Sequence, residues 1–503
     1  MSDFRCLVLV ILAGFCSLKC TNGPGKDERL ARSYCGSCHL YPDPQLLDKT
    51  TWEKHVLPQM RFRMGLDLTP LWKLPPDEID IITGVIPRAM ISDEDMKRIE
   101  QFYLLNAPTR LNSISNTDDD SLSTFVVKSS GVAITPMITL LKFDTVMERF
   151  IVGSRTSEIY IFDTDFTQQY RRTLSSPPSD VFPVTPDSLH ILQMGKMDPN
   201  DLFNGRLVAL NLPSGKTTTL IDSLNRPVHF SYNDFDNDGD VDILVSCFGN
   251  FTGSLILFEN TRDGFRRHVL HNLPGNRKTV VRDVNNDGLL DIITLTTQGD
   301  EQLMLFLNGN GMQFSQRSLY RFPPVFGSSF FELRDIDNDG DEDIVYTNGD
   351  NSDYSTILKP YHGVRILTND GEYNFSESTF LPMHGAYQTI ADDFDRDGDI
   401  DIAAISFFND FAGSPKRGFI YYENTGASFK PHTSTLANAG RWITMESMDI
   451  NNDGFPDLVL GALNFNIDVD AETMRHWKES NSPFLILTNT GKRDRPTSVQ
   501  NTP

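Results

Sequence analysis

Up to about residue 108 the apolar positions keep helical spacing; beyond residue 123 they gather into short runs that recur. Leu46 to Gly65 (LLDKTTWEKHVLPQMRFRMG) reads as helix broken at Pro58, because proline removes an amide donor and crowds the preceding turn. Ser92-Asp93-Glu94-Asp95 supplies a cap and an acidic first turn for a last helix. The expected buried face of that helix is Ile99, Phe102, Tyr103 and Leu105, and Ala107-Pro108 ends it. Pro108 to about Ser123 (PTRLNSISNTDDDSLS) has no apolar period and reads as a linker. Strand-like runs follow, among them Leu255 to Asn260, Met304 to Asn308, Val364 to Asn369, Phe419 to Asn424 and Leu485 to Asn489.

Five polar loops punctuate these runs. The first three are Asp234-Phe-Asp236-Asn-Asp238-Gly-Asp240-Val-Asp242, Asp283-Val-Asn285-Asn-Asp287-Gly-Leu-Leu-Asp291 and Asp335-Ile-Asp337-Asn-Asp339-Gly-Asp341-Glu-Asp343. The last two are Asp393-Phe-Asp395-Arg-Asp397-Gly-Asp399-Ile-Asp401 and Asp449-Ile-Asn451-Asn-Asp453-Gly-Phe-Pro-Asp457. Side-chain oxygens recur at positions 1, 3, 5 and 9, glycine at position 6 permits a sharp turn, and position 7 can offer its carbonyl. That is the hard oxygen cage Ca²⁺ prefers, so about five Ca²⁺ ions are expected. An EF-hand is excluded because position 12 is Val245, Thr294, Tyr346, Ala404 or Leu460 rather than glutamate, and each loop runs into a strand. The loops start 49, 52, 58 and 56 residues apart, a period suited to propeller blades.

Charge sharpens this picture. The formal net charge is −23, and the five loops hold 21 aspartates among 68 acidic residues. Five divalent cations would bring that charge to −13. The acidity argues against nucleic acid as a partner. Arg5 precedes the apolar run Leu7 to Phe15, which is too short to span a bilayer and reads as an export signal. Cys16 and Cys20 follow it. The remaining cysteines, Cys6, Cys35, Cys38 and Cys247, do not form a disulfide framework.

Cys35-Gly36-Ser37-Cys38-His39 is a CxxCH motif. Two thiols one helical turn apart can bond the two vinyl groups of a haem, and the adjacent imidazole then faces the iron. One covalent haem c is therefore expected on Cys35, Cys38 and His39. No second Cys/His pair for zinc and no βαβ pattern for a redox CxxC lies nearby. Met60, Met64, Met90 and His55 are the candidates for the sixth ligand. No nucleophile elbow, HExxH or dinucleotide-binding glycine pattern commits the chain to catalysis.

The loops and strand runs resemble the FG-GAP/VCBS repeats of integrin-α-type propellers and of many bacterial surface proteins. The fold this implies is mainly β: an about seven-bladed β-propeller preceded by a small all-α cytochrome c-like domain. Leu140 to Tyr160 and Leu189 to Leu212 look like two further blades without the loop, with Asp144, Asp198 and Asn200 as its remnants. The expected organisation is a signal or lipoprotein signal (1–20), a tether (21–33), the cytochrome c-like domain (34–108), a linker (109–122), the propeller (123–495) and a tail (496–503). The helical part resembles class I cytochromes c in its closing helix. Bacterial cytochromes fused to such repeats are similar across Val56-Leu57-Pro58-Gln59-Met60, which implies Met60 as the sixth ligand.

The region near Cys16 and Cys20 resembles a lipoprotein box, implying a lipid anchor at the periplasm, outer membrane or cell surface. Each loop joins a blade's first strand to its second, leaving the opposite face to His229, Arg277-Lys278, Tyr387-Gln388, Arg441-Trp442 and several Asn- and Asp-bearing loops. His268, His271 and His432 read as surface residues. Two functions follow. One is electron transfer to a redox partner protein, with the propeller holding a protein or glycan on the face away from the calcium loops. The other is a cytochrome-fused dehydrogenase whose propeller binds a substrate and passes electrons to the haem.

Overall fold

The computed structural model describes residues 25–114, 119–351 and 356–491; the export segment with Cys16 and Cys20 lies outside them. Seven sheets, nearly all of four antiparallel strands, follow one another along the chain as the blades of a propeller. The first two blades occupy Ile138–Thr173 and Pro178–Leu224, and blades three to five occupy Pro227–His271, Asn276–Arg321 and Ser328–Pro382. Blade six runs from Ala386 to Thr433, and blade seven combines Trp442–Met448, Asp457–Ala462 and Phe484–Asn489 with the early strand Phe125–Ser129. The ring thus closes on a strand from before the first blade, with Phe125 opposite Asn489 and Ser129 opposite Leu485.

Burial grades outward along each blade. In the five loop-bearing blades the second strand is buried at every position, as in Asp242–Cys247 and Asp457–Ala462, because neighbouring blades cover both its faces. Such strands carry continuous apolar runs rather than alternation. The fourth strands, such as Gly264–His271, alternate little and stay mostly exposed. Apolar clusters form between adjacent blades: Leu192, Leu207 and Ile221 of the second pack with Phe230, Val245 and Ile256 of the third.

The N-terminal part is helical and extends further than its sequence suggested. The segment read as a tether contributes the helix Lys26–Cys35. Pro58 does not break the second helix. Lys49–Thr51, Trp52–Val56 and Leu57–Arg63 run on without interruption. The middle piece is a wider turn in which the Leu57 amide donates to the Trp52 carbonyl, five residues back, and this relieves the crowding that a proline ring causes. The last helix, Asp93–Asn106, is capped by Ser92, whose hydroxyl accepts from the Asp95 amide at 3.0 Å. Its buried face is Met96, Ile99 and Tyr103, while Leu105 is 82% exposed. Leu105 lies about 200° around the axis from Tyr103, which puts it on the far side. The segment read as linker is not wholly free either, since Asp120–Ser121 adds a short parallel strand beside His432 and Thr433 of blade six. Among the described residues no helix is long and apolar enough to cross a membrane.

Candidate functional site

Each Asp-rich loop lies between the first and second strands of its blade, so all five occupy one face. Local hydrogen bonds shape them alike. The glycine amide at position 6 donates to the position-1 carboxylate at 2.7–3.1 Å in every copy. The position-7 amide donates to the position-5 carboxylate at 2.8–2.9 Å. Two consecutive turns need positive φ: the glycine, at 85–99°, and position 4, at 57–59°. Asparagine tolerates that region, which explains Asn237, Asn286, Asn338 and Asn452. In the exception, Arg396, the guanidinium stacks 4.2 Å over Phe455 of the next blade's loop.

Position 9 has a second duty that its spacing alone did not reveal. Asp242, Asp291, Asp343, Asp401 and Asp457 are 0–1% exposed. One carboxylate oxygen of each accepts the backbone amide of Asn260, Asn308, Asn369, Asn424 or Asn489 on the third strand, at 2.7–2.9 Å. The other accepts the position-2 amide at 2.9–3.0 Å in four copies, and the Tyr421 hydroxyl at 2.6 Å in Asp401. Position 9 therefore staples the loop to its own blade. The recurrent Asn closing each third strand was the available signal. Two of these residues, Asn308 and Asn489, also donate to the loop of the preceding blade, at the carbonyls of Phe235 and Phe394. Burial raises the pKa of all five position-9 acids, Asp401 to about 7.

The loops fall into two kinds. Carboxylate oxygens of Asp234, Asp236 and Asp242 converge within 4.8 Å of one another, as do those of Asp335, Asp337 and Asp339, and those of Asp393, Asp395 and Asp401. Oxygens so close repel one another unless a cation lies among them. In the other two loops Asn285 and Asn451 stand at position 3, and each donates its amide to the position-5 carboxylate, at 2.9 and 2.8 Å. The carboxylates of Asp240, Asp341 and Asp399 at position 7 are outside these convergent trios. In the loopless first blade, Asp144 does sit between the first two strands, where it accepts from Val146, Met147 and Arg149. Asp198 and Asn200 are not remnants of a loop. They lie between the second and third strands of blade two, on the opposite face, where Asp198 pairs with Arg155 at 2.6 Å.

The CxxCH motif closes the first helix. Cys35 is its last residue, and the Gly36 and Ser37 amides donate back to the carbonyls of Arg32 and Tyr34. Cys38 is exposed, and Cys35 is half-buried near Tyr103, with burial pushing its thiol up to about 11. His39 holds Nδ1 2.8 Å from the Leu40 carbonyl, and burial lowers its pKa. An Nδ1–H donated there leaves Nε2 with its lone pair for a ligand role. Met60 and Met64 pack in the same apolar cluster as Cys35, whereas His55 and Met90 are exposed.

The helices do not leave the second propeller face free. Phe62 meets Phe251 of blade three edge-on at 5.5 Å, and the Arg63 guanidinium lies 4.3 Å over the same ring. The buried Glu78 accepts the Asp201 amide at 3.1 Å, and the Tyr361 hydroxyl donates to the Leu46 carbonyl at 2.9 Å. Between helices and funnel remains a partly open cavity of about 810 Å³. His229, Arg277, Lys278, Tyr387, Gln388, Asn250, Gln298 and Asp350 line it, with Gln59, Phe62 and Arg63 from the helices.

Arg441 and Trp442 do not belong to the funnel, being 1% and 0% exposed. The Arg441 guanidinium sits in a box of Phe407, Phe408, Phe411, Phe465 and Trp477, and burial lowers its pKa to about 10. Asn348, Asn409 and Asn464 bond within and between their own loops. His432 is buried rather than superficial, bonded to Glu423 at 2.8 Å, and His268 meets Glu259 at 2.6 Å.

Residues 234–294, 283–346, 335–404 and 393–460 match the FG-GAP-like repeat, so FG-GAP-like repeats run from the loop of blade three to the second strand of blade seven. No curated protein matches the chain. Among solved structures, the N-terminal domain of Nup159 is 10% identical with a TM-score of 0.42, covering 75% of this chain and 98% of that one. The Neurospora crassa Pan2 WD40 domain is 11% identical with a TM-score of 0.43, covering 74% and 98%. BBS1N, solved in complex with ARL6DN, is 9% identical with a TM-score of 0.44, covering 75% and 99%.

Proposed function

We propose that this protein is an exported c-type cytochrome seated on a calcium-stapled propeller, passing single electrons to a redox partner protein. The observation that carries this reading is the helix-terminal pair Cys35 and Cys38 followed by His39, whose Nδ1 is spent on the Leu40 carbonyl. The donor set fits a covalent haem: two thiols across the end of one helix, and an imidazole oriented by its own backbone. Cys35 and Cys38 would hold the group, His39 would ligate it, and Met60 is the sixth ligand implied by the family resemblance. Once bound, a haem supplies reversible one-electron oxidation and reduction.

The chain's own residues set the surroundings. The Asp300–Arg321 ion pair of blade four, at 2.6 Å, lies near His39 and contributes to its electrostatic environment. The five loops would each bind Ca²⁺ through positions 1, 3, 5 and 9. The protein would act in the periplasm or at the cell surface, held by a lipid at Cys16 or Cys20. The part of the helix-bearing face left uncovered would take a protein or glycan.

The test is the optical spectrum of the purified exported protein. A covalent c-type spectrum is expected, and its loss in Cys35→Ala/Cys38→Ala; an unchanged spectrum in the double variant would overturn the haem assignment. The dehydrogenase reading has one observation behind it: Arg63 lines the cavity and also acts electrostatically on His39. A substrate that reduces the haem in the isolated protein would establish it.

A further inference from the structure

The cavity beneath the helices differs in charge from the rest of the molecule. The chain carries −23 overall, yet six Arg and Lys side chains line this cavity against four Asp and Glu. Most of those charges are already matched. Asp198 takes Arg155, and Asp180 takes His229 at 2.9 Å. Glu301 is buried and bound by the Gly327 and Ser328 amides, and Arg226 donates to the carbonyls of Met197 and Gly249.

Of the other cations, Arg63 lies over Phe251, and Lys359 donates to the Val325 carbonyl and acts on Glu301, which leaves Arg277 and Lys278 as two neighbouring cations of the wall. They are consecutive on the innermost strand of blade four and both face the cavity. The Arg277 guanidinium lies 4.7 Å over the ring of Tyr387, and Lys278 Nζ stands 3.5 Å over that of Phe330. Neither makes a salt bridge among the described residues. The acids that act on Lys278 from a distance are Glu332, Glu446 and Asp180. None of them bonds Lys278 directly: Glu332 accepts from Thr389 and Ala391, Glu446 pairs with Lys142, and Asp180 with His229. Burial draws the Lys278 pKa down to about 8, with Glu332 acting in the opposite direction. The remaining walls are rich in aromatic rings, including Phe248, Phe407 and Phe465.

We propose that this cavity is a binding site for a small organic anion, with a carboxylate held by Arg277 and Lys278 and a planar apolar body against the phenylalanines. A guanidinium already stacked on a ring keeps its edge N–H groups for a carboxylate, and a cation in a half-desolvated funnel attracts an anion strongly. The site stands on the cavity alone and holds with or without the haem.

The probe is 2-naphthoate, with 2-naphthamide as the same body without the charge. Calorimetry on the full chain should show saturable naphthoate binding, with the amide weaker by about tenfold or more, the loss expected for one charge-assisted hydrogen bond. Lys278→Met should abolish that preference, with a cooperative melt showing that the variant is folded. Arg277→Gln, should Lys278→Met not fold, should weaken naphthoate about tenfold or more. Equal affinity for acid and amide, unchanged naphthoate affinity in a folded variant, or no naphthoate binding up to millimolar concentration would each overturn the site.

Discussion

The two faces of the propeller are built by different rules. On one, a nine-residue pattern recurs five times, and every important partner lies within its own blade or the next. On the other, one backbone bond recurs, from the residue after each second strand to the residue before each first, but no side-chain pattern does. Glu78 meets Asp201, Tyr361 meets Leu46, and Arg441 is boxed by rings from separate loops. The repeating face gives each blade the same fastening, so its residues serve the ring. The irregular face is free to differ from blade to blade, and the helices and the positively lined cavity are found there. Regularity marks structure here, and its absence marks the side on which specificity can be built.

Removing metal should break this contrast most strongly. If the loops hold Ca²⁺, chelation lowers stability by about 2.7 kcal/mol per loop at a free ion concentration one hundred times Kd, provided the unfolded chain does not bind. Thermal melts with and without chelator read this directly, and identical Tm values would remove calcium from the account. Asp337→Asn, which copies the Asn285 arrangement, should reduce the calcium response more than Asn285→Gln does.

Next in size, Asp343→Ala strands two buried backbone donors and should cost about 3 kcal/mol in urea unfolding in the presence of chelator. Asp341→Ala, two residues away and outside the convergent trio, should stay within about 0.5 kcal/mol. Equal effects would show that position 9 is no staple. On the irregular face, Glu78→Ala leaves the Asp201 amide without its acceptor. About 1–3 kcal/mol is expected, seen as faster hydrogen exchange in the helix Pro76–Val85.

The most gradual effect concerns Glu301, whose pKa burial raises from 4.5 to about 7. Between those values the unfolded chain releases a proton that the folded chain keeps, so stability falls as pH rises through this window. The slope can reach about 1.4 kcal/mol per pH unit. Glu301→Gln should reduce it in pH-dependent melts, with Asp401 keeping its own share; an unaltered slope would place the titration elsewhere.

What could be read from the sequence follows the same division. The loops were legible because side-chain oxygens at positions 1, 3, 5 and 9 need only a turn, and the turn needs only glycine at position 6 and, in four of the five, asparagine at position 4. Asp198 and Asn200 were misplaced because acidic residues near a hairpin do not say which hairpin they join. Leu105 and Met96 exchanged roles because apolar character identifies a face only when its angular position is followed around the helix. Pro58 was read as a break because a single wide turn is invisible in composition. The docking of the helices depended on pairs such as Glu78 and Asp201, 123 residues apart, for which no local spacing exists. Arg277 and Lys278 are legible as polar face residues, but their places over Tyr387 and Phe330 come from rings on other blades.

The strand that closes the ring has a consequence for synthesis. Phe125–Ser129 pairs with Phe484–Asn489, and the hydroxyls of Ser129 and Ser482 meet at 2.8 Å across 353 residues of chain. At ribosomal speed, the early strand waits roughly 20–70 s for its partner. Throughout that interval six blades can form, each on its own hairpins, while the seventh lacks the third strand its waiting outer strand must pair with, and that outer strand is an unpaired edge. A chain stopped short of Phe484 would carry nearly all of its loops and most of its core, and still be an open arc with two adhesive ends.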